Sequence, residues 1–469
     1  MQMRFSRVSC VVSAFASAVA LAPFAPARAQ GNVACWGSNM WDQCSVPSGL
    51  TSVRSIAAGG DWDSAFTVVV KTDGSVLGWG DNYYGQIVPP IGLSAAVQVA
   101  ASEDPRTVVL LSNGRVVSWG ADWSPCSSLM YGTDVGDSPI NECSGSPQLG
   151  DPVRFRGVVF TQGQQVAAGR NHSVALTRSG QVVSWGGYYS YLYNGDPPPV
   201  SSLLFGTKSD GTAQSGFLGQ PAEIRGAVIS ATQVVAGDDF TGVRMAGGAV
   251  ACLQEYFWPP YSFDVTPPAG LPAVAELAGG YGHLAARLSD GSVVCWGSNR
   301  YGESLGTGLN GSPILTKPTG APVRINGQIL YSVAKVAVGS EHTIALLTSG
   351  KVVAWGRNNA GQSLGTSASG APILGIANGQ YAKVGGNDLV SVTAIAAGEG
   401  HSVALIGSAV SAVCPADLDG SGQVDFGDVA VAMLDFGPCA ECPTDLDGSG
   451  QVDFGDIALT LLDFGPCSP

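Results

Sequence analysis

Two acidic loops near the end of the chain carry its clearest chemistry. Each reads Asp-Leu-Asp-Gly-Ser-Gly-Gln-Val-Asp-Phe-Gly-Asp, beginning at Asp417 and at Asp445. Oxygen-bearing side chains alternate along a tight turn with glycine at position 6, and this spacing suits Ca²⁺, which takes about six to eight oxygen ligands. The predicted ligands, with the glutamines contributing their carbonyls, are Asp417, Asp419, Ser421, Gln423, Asp425, Asp428, Asp445, Asp447, Ser449, Gln451, Asp453 and Asp456.

Residues 414–469 are predicted to form a separate unit around these loops. This stretch holds eleven Asp or Glu and no Lys or Arg, so we expect its folding to depend on bound metal. After the first loop, Val429, Met433 and Phe436 have the spacing of an amphipathic helix, and the second copy repeats it. Val424 and Val452, at position 8, are expected to form a short strand contact between the loops. The sequence thus predicts a small α-helical tandem calcium-loop domain.

The two loops resemble EF-hand loops, and their paired layout is similar to that of dockerin modules. Position 12 is Asp, as in dockerins, rather than the Glu of EF-hands. The resemblance implies Ca²⁺ as the cofactor and a cohesin-like partner for the tail. Many dockerins contact cohesin through hydroxyl residues at positions 10 and 11, where this chain has Phe426-Gly427 and Phe454-Gly455.

Upstream of the tail, two short motifs alternate and must set the architecture. One is Gly-x-x-His, ending at His342, and the other is Val-x-x-Trp-Gly, containing Trp355. The two residues are thirteen positions apart, as are His172 and Trp185, and such a fixed period indicates a repeat architecture. We assign seven copies of each motif, centred on Trp36, Trp79, Trp119, Trp185, Cys252, Trp296 and Trp355, and on Phe66, Arg106, His172, Asp239, His283, His342 and His401.

Each motif pair is predicted to form two strands joined by a tight turn and followed by a long loop. Asp73-Gly74 and Ser349-Gly350 stand between motifs, and glycine accepts the positive φ that such hairpin turns need. The spacing within a pair is constant while the gap after each Trp-Gly varies. The insertions therefore fall in one class of loop and should emerge on one face.

The segments Gly339-x-x-His342, Trp355-Gly356-x-Asn358 and Gly361-Gln362-x-Leu364-Gly365 resemble the RCC1 (regulator of chromosome condensation) repeat. The resemblance covers residues 31–413 and implies an all-β fold, a seven-bladed β-propeller.

Departures from the repeat and the order of its motifs carry further expectations. Phe66 and Arg106 replace histidine and Cys252 replaces tryptophan, so we expect those blades to be distorted. The repeats begin with the Trp36 motif and end with the His401 motif, so one blade should combine both ends of the domain and leave no open sheet edge.

Residues 1–29 are predicted to be a secretory signal. They combine the basic Arg4 and Arg7, an apolar stretch over 8–21 and a small-x-small site ending at Ala29. We expect an extracellular or periplasmic protein; an uncleaved anchor helix is the alternative. Export permits disulfides among the remaining ten cysteines. Cys126 with Cys143, Cys414 with Cys439 and Cys442 with Cys467 bracket loops or repeats, and the connectivity stays open.

The charge distribution excludes some classes of partner. The formal net charge is −14, and outside the tail 22 basic residues nearly balance 25 acidic ones, so no basic face for nucleic acid is expected. No long apolar run follows the signal, and no membrane span is predicted. The four histidines are repeat residues expected to bond backbone groups, and no catalytic residue is assigned.

The long loops are the better candidates for function, because rigid scaffolds usually carry function on loops. Their aromatic residues could bind a protein or a glycan or could cover the rim. We therefore expect an exported, non-catalytic binding or scaffold protein with a calcium-binding tail. The alternatives are a polysaccharide-degrading enzyme or cellulosome-like component attached through the dockerin-like tail, and a structural role in a cell-surface assembly. The candidate binding residues are Trp123, Tyr131, Tyr188, Tyr189, Tyr191, Tyr256 and Trp258.

Overall fold

A computed structural model describes most of the repeat region and part of the tail. The described residues are 33–120, 152–170, 172–186, 208–209, 220–254, 264–316, 318, 320–375, 377, 380–407, 423–424, 429, 432–433, 436–438, 451–454, 456–457 and 465–466. No helix within these ranges is long and apolar enough to cross a membrane.

The described part of the chain is almost entirely β-structure, apart from a 3-10 turn at Ala246–Gly248 and short helical pieces in the tail. The strands of the repeat region are β1 Val33–Gly37, β2 Val53–Gly59, β3 Phe66–Lys71, β4 Val76–Gly80, β5 Ala96–Ala101, β6 Arg106–Leu111, β7 Val116–Gly120, β8 Arg154–Phe155, β9 Val158–Val159, β10 Gly163–Ala168, β11 His172–Thr177, β12 Val182–Gly186, β13 Glu223–Ile224, β14 Ala227–Val228, β15 Ala231–Ala236, β16 Phe240–Met245, β17 Val250–Gln254, β18 Val274–Gly279, β19 His283–Leu288, β20 Val293–Gly297, β21 Arg324–Ile325, β22 Gln328–Ile329, β23 Val333–Val338, β24 His342–Leu347, β25 Val352–Gly356, β26 Lys383–Val384, β27 Asn387–Asp388, β28 Val392–Ala397 and β29 His401–Ile406.

These strands form seven three-stranded antiparallel sheets within the described ranges. The sheets are β2-β3-β4, β5-β6-β7, β10-β11-β12, β15-β16-β17, β18-β19-β20, β23-β24-β25 and β28-β29-β1; the remaining short strands form hairpins. The first strand of each sheet packs against the first strand of the next, and β28 packs against β2. This order of contacts runs once around a common axis.

The expected two-stranded unit is wrong, because each sheet has a further strand nearest the axis. These first strands are rich in Ala and Gly, as the Ala-Ala-Gly end of β2 shows. Small side chains suit the axis, where the strands approach one another closely. Such residues have weak strand propensity, which is why the sequence pattern did not reveal them. The middle strands, such as β3, are apolar and buried on both faces.

The last sheet joins the two ends of the repeat region, as predicted. β1 pairs antiparallel with β29, placing Trp36 opposite Ser402 and Gly37 opposite His401. Every other sheet takes all three strands from one continuous stretch of chain.

Two repeat assignments and the expected distortion are corrected by the strand register. In the fourth sheet Phe240 pairs with Gln254, as His172 pairs with Gly186 in the third sheet. Phe240, not Asp239, therefore occupies the histidine position. Leu253, not Cys252, occupies the tryptophan position. The constant thirteen-residue spacing fits this register. The sheets with Phe66 and Arg106 keep the same pairing as the others, because a large buried side chain of any kind fills that position.

The four histidines hold neighbouring sheets together from fully buried positions. His342 Nε2 lies 2.8 Å from Ser402 Oγ of the next sheet, so its partner is a hydroxyl rather than the expected backbone group. His172, His283 and His401 make the equivalent contact to Thr241, Thr343 and Thr67 at 2.8, 2.8 and 3.2 Å.

A shared carbonyl explains why histidine and tryptophan recur together. Ser402 Oγ and Trp36 Nε1 both donate to the carbonyl of Gln362, each at 2.9 Å. Because the single Ser402 proton is used there, His342 must donate from Nε2, which leaves Nδ1 unprotonated. Burial lowers the pKa of His342 to about 3.

One glycine of the motif is required by close packing. A Cβ at Gly339 would lie 2.4 Å from the carbonyl oxygen of Gly398 in the next sheet and 2.5 Å from His342 Cε1. Gly-x-x-His is therefore a packing unit in which the missing side chain makes room for the imidazole and for the neighbouring sheet.

Cysteines in the described ranges occupy the core. Cys35 and Cys44 form a buried disulfide with a Cα–Cα distance of 5.0 Å, a pairing not among those considered from sequence. Cys295 is a buried free thiol, as the core interpretation expected. Cys126, Cys143, Cys414, Cys439, Cys442 and Cys467 lie outside the described residues.

Four short tail strands pair differently from the expected loop-to-loop contact. They are β30 Gln423–Val424, β31 Gly437–Pro438, β32 Gln451–Val452 and β33 Gly465–Pro466. β30 pairs with β33, and β31 pairs with β32. Each loop strand therefore pairs with the Gly-Pro segment that follows the other repeat's predicted helix, which links the two copies reciprocally.

Candidate binding face at the channel mouth

A narrow channel runs along the axis between the sheets. It encloses about 80 Å³ and is lined by all seven first strands and the turns that follow them. Alanine and glycine form its wall, including Ala58, Gly169 and Gly398.

One end of the channel, which we call the channel mouth, is formed by the turns between first and second strands. Their described residues are 60–65, 102–105, 169–170, 237–239, 280–282, 339–341 and 398–400. They carry one arginine, Arg170, and eight carboxylates: Asp61, Asp63, Glu103, Asp104, Asp238, Asp239, Glu341 and Glu399.

Arg170 bridges the acids of the two neighbouring sheets. Its Nε lies 3.6 Å from Asp104 Oδ1, and its Nη1 lies 3.6 Å from Asp238 Oδ1. Burial raises the pKa of Glu103 to about 9 and that of Asp238 to about 7, with further contributions from neighbouring carboxylates that outweigh the arginine. One arginine therefore does not neutralise the mouth.

The same pattern continues on the far side of the mouth. Burial, then repulsion from Asp61 and Glu341, raises the pKa of Glu399 to about 8. Burial also raises the pKa of Tyr281 to about 12, so its phenol stays protonated. These groups would be favoured in their charged form by an approaching cation.

The opposite face of the ring has no comparable excess of negative charge among the described turns. The turns between second and third strands, residues 72–75, 112–115, 178–181, 246–249, 289–292 and 348–351, contain two acids, Asp73 and Asp290. They also contain three bases, Arg115, Arg178 and Lys351. The acidity is thus confined to one end of the strands.

An aromatic cluster adjoins the acidic mouth. Trp41 Nε1 donates to the Trp62 carbonyl at 2.8 Å, and both indoles are more than a third exposed. The guanidinium of Arg357 lies 4.5 Å from the Trp62 ring centre and 5.3 Å from that of Tyr301, and it pairs with Glu341. Half-exposed aromatic rings beside charged groups are a frequent composition at protein–protein interfaces.

The aromatic binding residues proposed from sequence, Trp123, Tyr131, Tyr188, Tyr189, Tyr191, Tyr256 and Trp258, lie outside the described residues. Sequence reasoning missed the mouth because it left the two x positions of Gly-x-x-His unassigned. Aligning the copies on that motif would have shown that most of them carry an acid there.

Of the predicted calcium ligands, the structure describes the side chains of Gln451, Asp453 and Asp456. Asp456, at position 12, is fully buried, and its carboxylate accepts a hydrogen bond from the backbone N–H of Asp453 at 2.8 Å. Position 12 thus folds back toward position 9, which fits a loop that surrounds an ion. No group of three metal-binding side chains occurs within the described residues; Asp445, Asp447 and Ser449 are outside them.

Family models match the chain at several of the repeats. The regulator of chromosome condensation (RCC1) repeat matches residues 53–86, 164–187, 274–303 and 333–362, and a second model of the same repeat matches 290–346. These segments coincide with the sheets that carry the Gly-x-x-His and Trp-Gly motifs.

Curated relatives resemble parts of the chain. The ultraviolet-B receptor UVR8 of Arabidopsis thaliana is 26% identical over 275 residues, which is 56% of this chain and 53% of that protein. The human E3 ubiquitin-protein ligase HERC2 is 28% identical over 307 residues, or 63% of this chain and 5% of that protein. The chain therefore spans about half of the first relative and a small part of the second.

Solved structures share the fold. Prp20p of Saccharomyces cerevisiae covers 81% of this chain and 92% of its own, with a TM-score of 0.53 and 15% identity. Human WBSCR16 covers 76% and 87%, with a TM-score of 0.50 and 20% identity. The matched segments, the buried histidine contacts and this likeness together show that the chain carries RCC1 repeats folded as a β-propeller.

Proposed function

We propose that this chain is an exported, non-catalytic binding protein: a closed seven-bladed propeller that docks a basic segment of a partner protein on its channel mouth, with a calcium-ordered tail. The observation that carries the proposal is the set of eight carboxylates on the turns at the mouth, which outnumber the three arginines beside them, Arg106, Arg170 and Arg357. Electrostatic complementarity of this kind steers a partner of opposite charge and fixes its orientation.

Three further observations support this proposal. The channel is too small for a folded ligand, so a partner must bind across the mouth. The exposed Trp41 and Trp62 supply an apolar anchor beside the acids. Prp20p, which shares the fold, binds Gsp1p and histones, so a propeller of this type can serve as a protein-binding surface.

The proposal is tested by binding of a lysine-rich peptide to the full chain in millimolar calcium, measured against salt concentration. We expect Asp61→Asn with Asp63→Asn and Asp239→Asn to weaken binding at least tenfold at low salt. The matched control neutralises the opposite face, Asp73→Asn with Asp290→Asn, and should change binding less than twofold.

Because the tail is also acidic, the same titration is repeated with a chain ending at Val413. Binding that disappears with the tail, or that both sets of substitutions weaken equally, would contradict a docking site at the mouth. A glycan array probed with the full chain tests the other ligand class expected from the loops.

Export and calcium binding belong to the same proposal. The signal-like residues 1–29 and the buried Cys35–Cys44 disulfide support an oxidising compartment. In the tail, the buried Asp456 supports a loop closed around a cation. Asp417, Asp419, Ser421, Gln423, Asp425 and Asp428 would hold one Ca²⁺, and the corresponding residues of the second loop would hold another.

Calorimetric titration of the full chain with Ca²⁺ tests the tail. We expect two sites, of which one is lost in Asp417→Asn with Asp419→Asn and the other in Asp445→Asn with Asp447→Asn. The control Asp435→Asn changes a tail carboxylate outside the loops and should retain both sites. A chain that shows no heat of binding up to millimolar calcium would remove this part of the proposal.

The enzymatic alternative has one observation in its favour. Glycosidases use a pair of carboxyl groups, one of which has a raised pKa, and Glu103, whose pKa is raised, lies near Asp104 and Asp238. Release of chromophore from aryl glycosides by the full chain, abolished by Glu103→Gln, would favour that function over binding alone.

A further inference from the structure

Four outer strands are extended by a segment of the chain that follows them. Bridges join Val117 to Pro152, Val183 to Pro221, Val294 to Pro322 and Val353 to Tyr381, all antiparallel. In each case the residue after the bridge donates its N–H to the outer strand: Val153 to Val116, Ala222 to Val182, Val323 to Val293 and Ala382 to Val352, at 2.8, 2.8, 2.7 and 2.8 Å.

β4 has no such extension within the described residues, although residues 81–95 after it are all described. Leu77 occupies the place that Val117, Val183, Val294 and Val353 occupy in the other sheets, and its side chain is 36% exposed. Those four valines are between 1 and 4% exposed. The outer edge of β4 is therefore open, whereas the corresponding edges of four other sheets are covered by a following segment of the chain.

We propose that the outer edge of β4 binds an extended segment of a partner protein in which proline is followed by valine or alanine. Such a segment would add an antiparallel strand, with the residue after proline donating its N–H to the Val76 carbonyl. Three of the four internal occupants have this dipeptide, as Pro152-Val153, Pro221-Ala222 and Pro322-Val323.

The chemistry of the edge explains that preference. At the bridge position the N–H of the added segment makes no hydrogen bond to the outer strand. Proline, which has no N–H, therefore loses no hydrogen bond there. The small β-branched or alanine side chain that follows fits a buried position, as the full burial of Val153, Ala222 and Val323 shows. This site is independent of the channel mouth.

The test is selection of random displayed peptides on the full chain, with counter-selection on Leu77→Lys. A charge at an open edge opposes strand addition, whereas Val228→Lys places the same charge at a more exposed apolar residue elsewhere and serves as the control. We expect enriched peptides to share Pro-Val or Pro-Ala, to lose at least tenfold in affinity to Leu77→Lys, and to bind Val228→Lys normally. The β4 amides that face away from β3 should gain protection from hydrogen exchange when peptide is bound.

Several results would overturn the proposal. Selection that yields no shared dipeptide, or peptides that bind Leu77→Lys as well as the unchanged chain, would rule out this edge. Protection, in the free monomer, of the β4 amides that face away from β3 would mean that another segment of the chain already covers the edge. A dimer that Leu77→Lys dissociates would assign the edge to a second copy of this chain. Melting curves of both variants confirm that they fold.

Discussion

Two sets of ionisable residues lie within a few positions of each other in the repeat, and burial shifts their pKa values in opposite directions. The histidines of Gly-x-x-His are fully buried between sheets, and burial lowers their pKa values to about 3 or 4. The turn residues just before this position in each repeat form the channel mouth, where burial raises the pKa values of Glu103, Asp238 and Glu399. The histidines have hydrogen-bond partners within the fold, whereas the carboxylates have too little positive charge around them.

The difference separates structural from functional positions in a repeat. A histidine whose Nε2 donates to the next sheet's hydroxyl is satisfied without any ligand. The mouth carboxylates outnumber the arginines beside them, Arg106, Arg170 and Arg357, so they hold free energy that a cationic partner can release. Recurrence along the chain thus marks packing, and the variable positions beside it form the proposed binding face.

The largest expected effect is acid destabilisation through the histidines. Because the folded state keeps them neutral while the unfolded state titrates near pH 6.5, unfolding takes up protons and stability falls as the pH drops from 6.5 toward 4. Each contributes up to about 1.4 kcal/mol per pH unit, so the four set an upper limit of about 5 kcal/mol per unit. Urea denaturation between pH 7 and pH 4.5 measures the slope.

A double variant separates the effect of the histidines on acid stability from that of the mouth carboxylates. The raised pKa values of those carboxylates change stability with pH in the opposite direction. His342→Phe combined with Ser402→Leu reproduces the natural Phe240 and Leu284 junction, which has no imidazole. It should lessen the acid slope by about one quarter. An unchanged slope would mean that these histidines do not control acid stability.

Truncation of one junction should be the next largest effect. His342→Ala removes the hydrogen bond to Ser402 and leaves a cavity between two sheets. We expect a loss of about 2–4 kcal/mol in the free energy of unfolding at pH 7. The apolar double variant described above should lose less than this, since it refills the space; an equal loss would contradict the packing account.

A single methyl group tests the close approach of neighbouring sheets. Gly339→Ala would place its Cβ against the Gly398 carbonyl and the His342 ring, and overpacking of this kind costs about 1–3 kcal/mol. Gly308→Ala is the matched control, because its nearest neighbour would be 3.6 Å away. Thermal melting should lower the midpoint for the first variant only.

The smallest dependence of stability on pH is expected at the mouth, where one carboxyl titrates rather than four histidines. The pKa of Glu103 is raised in the folded state, so its contribution to stability is present below about pH 4.5 and is lost as the pH rises through about 9. Glu103→Gln should therefore gain in melting temperature relative to the unchanged chain between pH 5 and pH 9. Asp73→Asn, at an exposed carboxylate whose hydrogen bonds to Ser75 lower its pKa, should show no such trend over this range.

Parts of this fold followed directly from the sequence. The spacing of His342 and Trp355 predicted paired strands, and the β-propeller and the pairing of β1 with β29 are confirmed. The first strands were missed because alanine and glycine carry little strand signal. The place of Leu253 was misassigned because leucine and its neighbour Cys252 are both apolar, and only the backbone register distinguishes them.

The candidate site was harder to predict for a different reason. Glu103, Arg170 and Glu399 come from distant sequence positions, and only the arrangement of sheets around one axis brings them to the same channel. The calcium ligands and the aromatic loop residues remain predictions.

The pairing of β1 with β29 has a consequence for how the chain is made. Val33 finds its partner Leu405 only after the last repeat has been made, so the ring cannot close on the earlier repeats alone. Such distant pairings also slow folding. The first residues of the repeat region to be synthesised are therefore among the last to find their place.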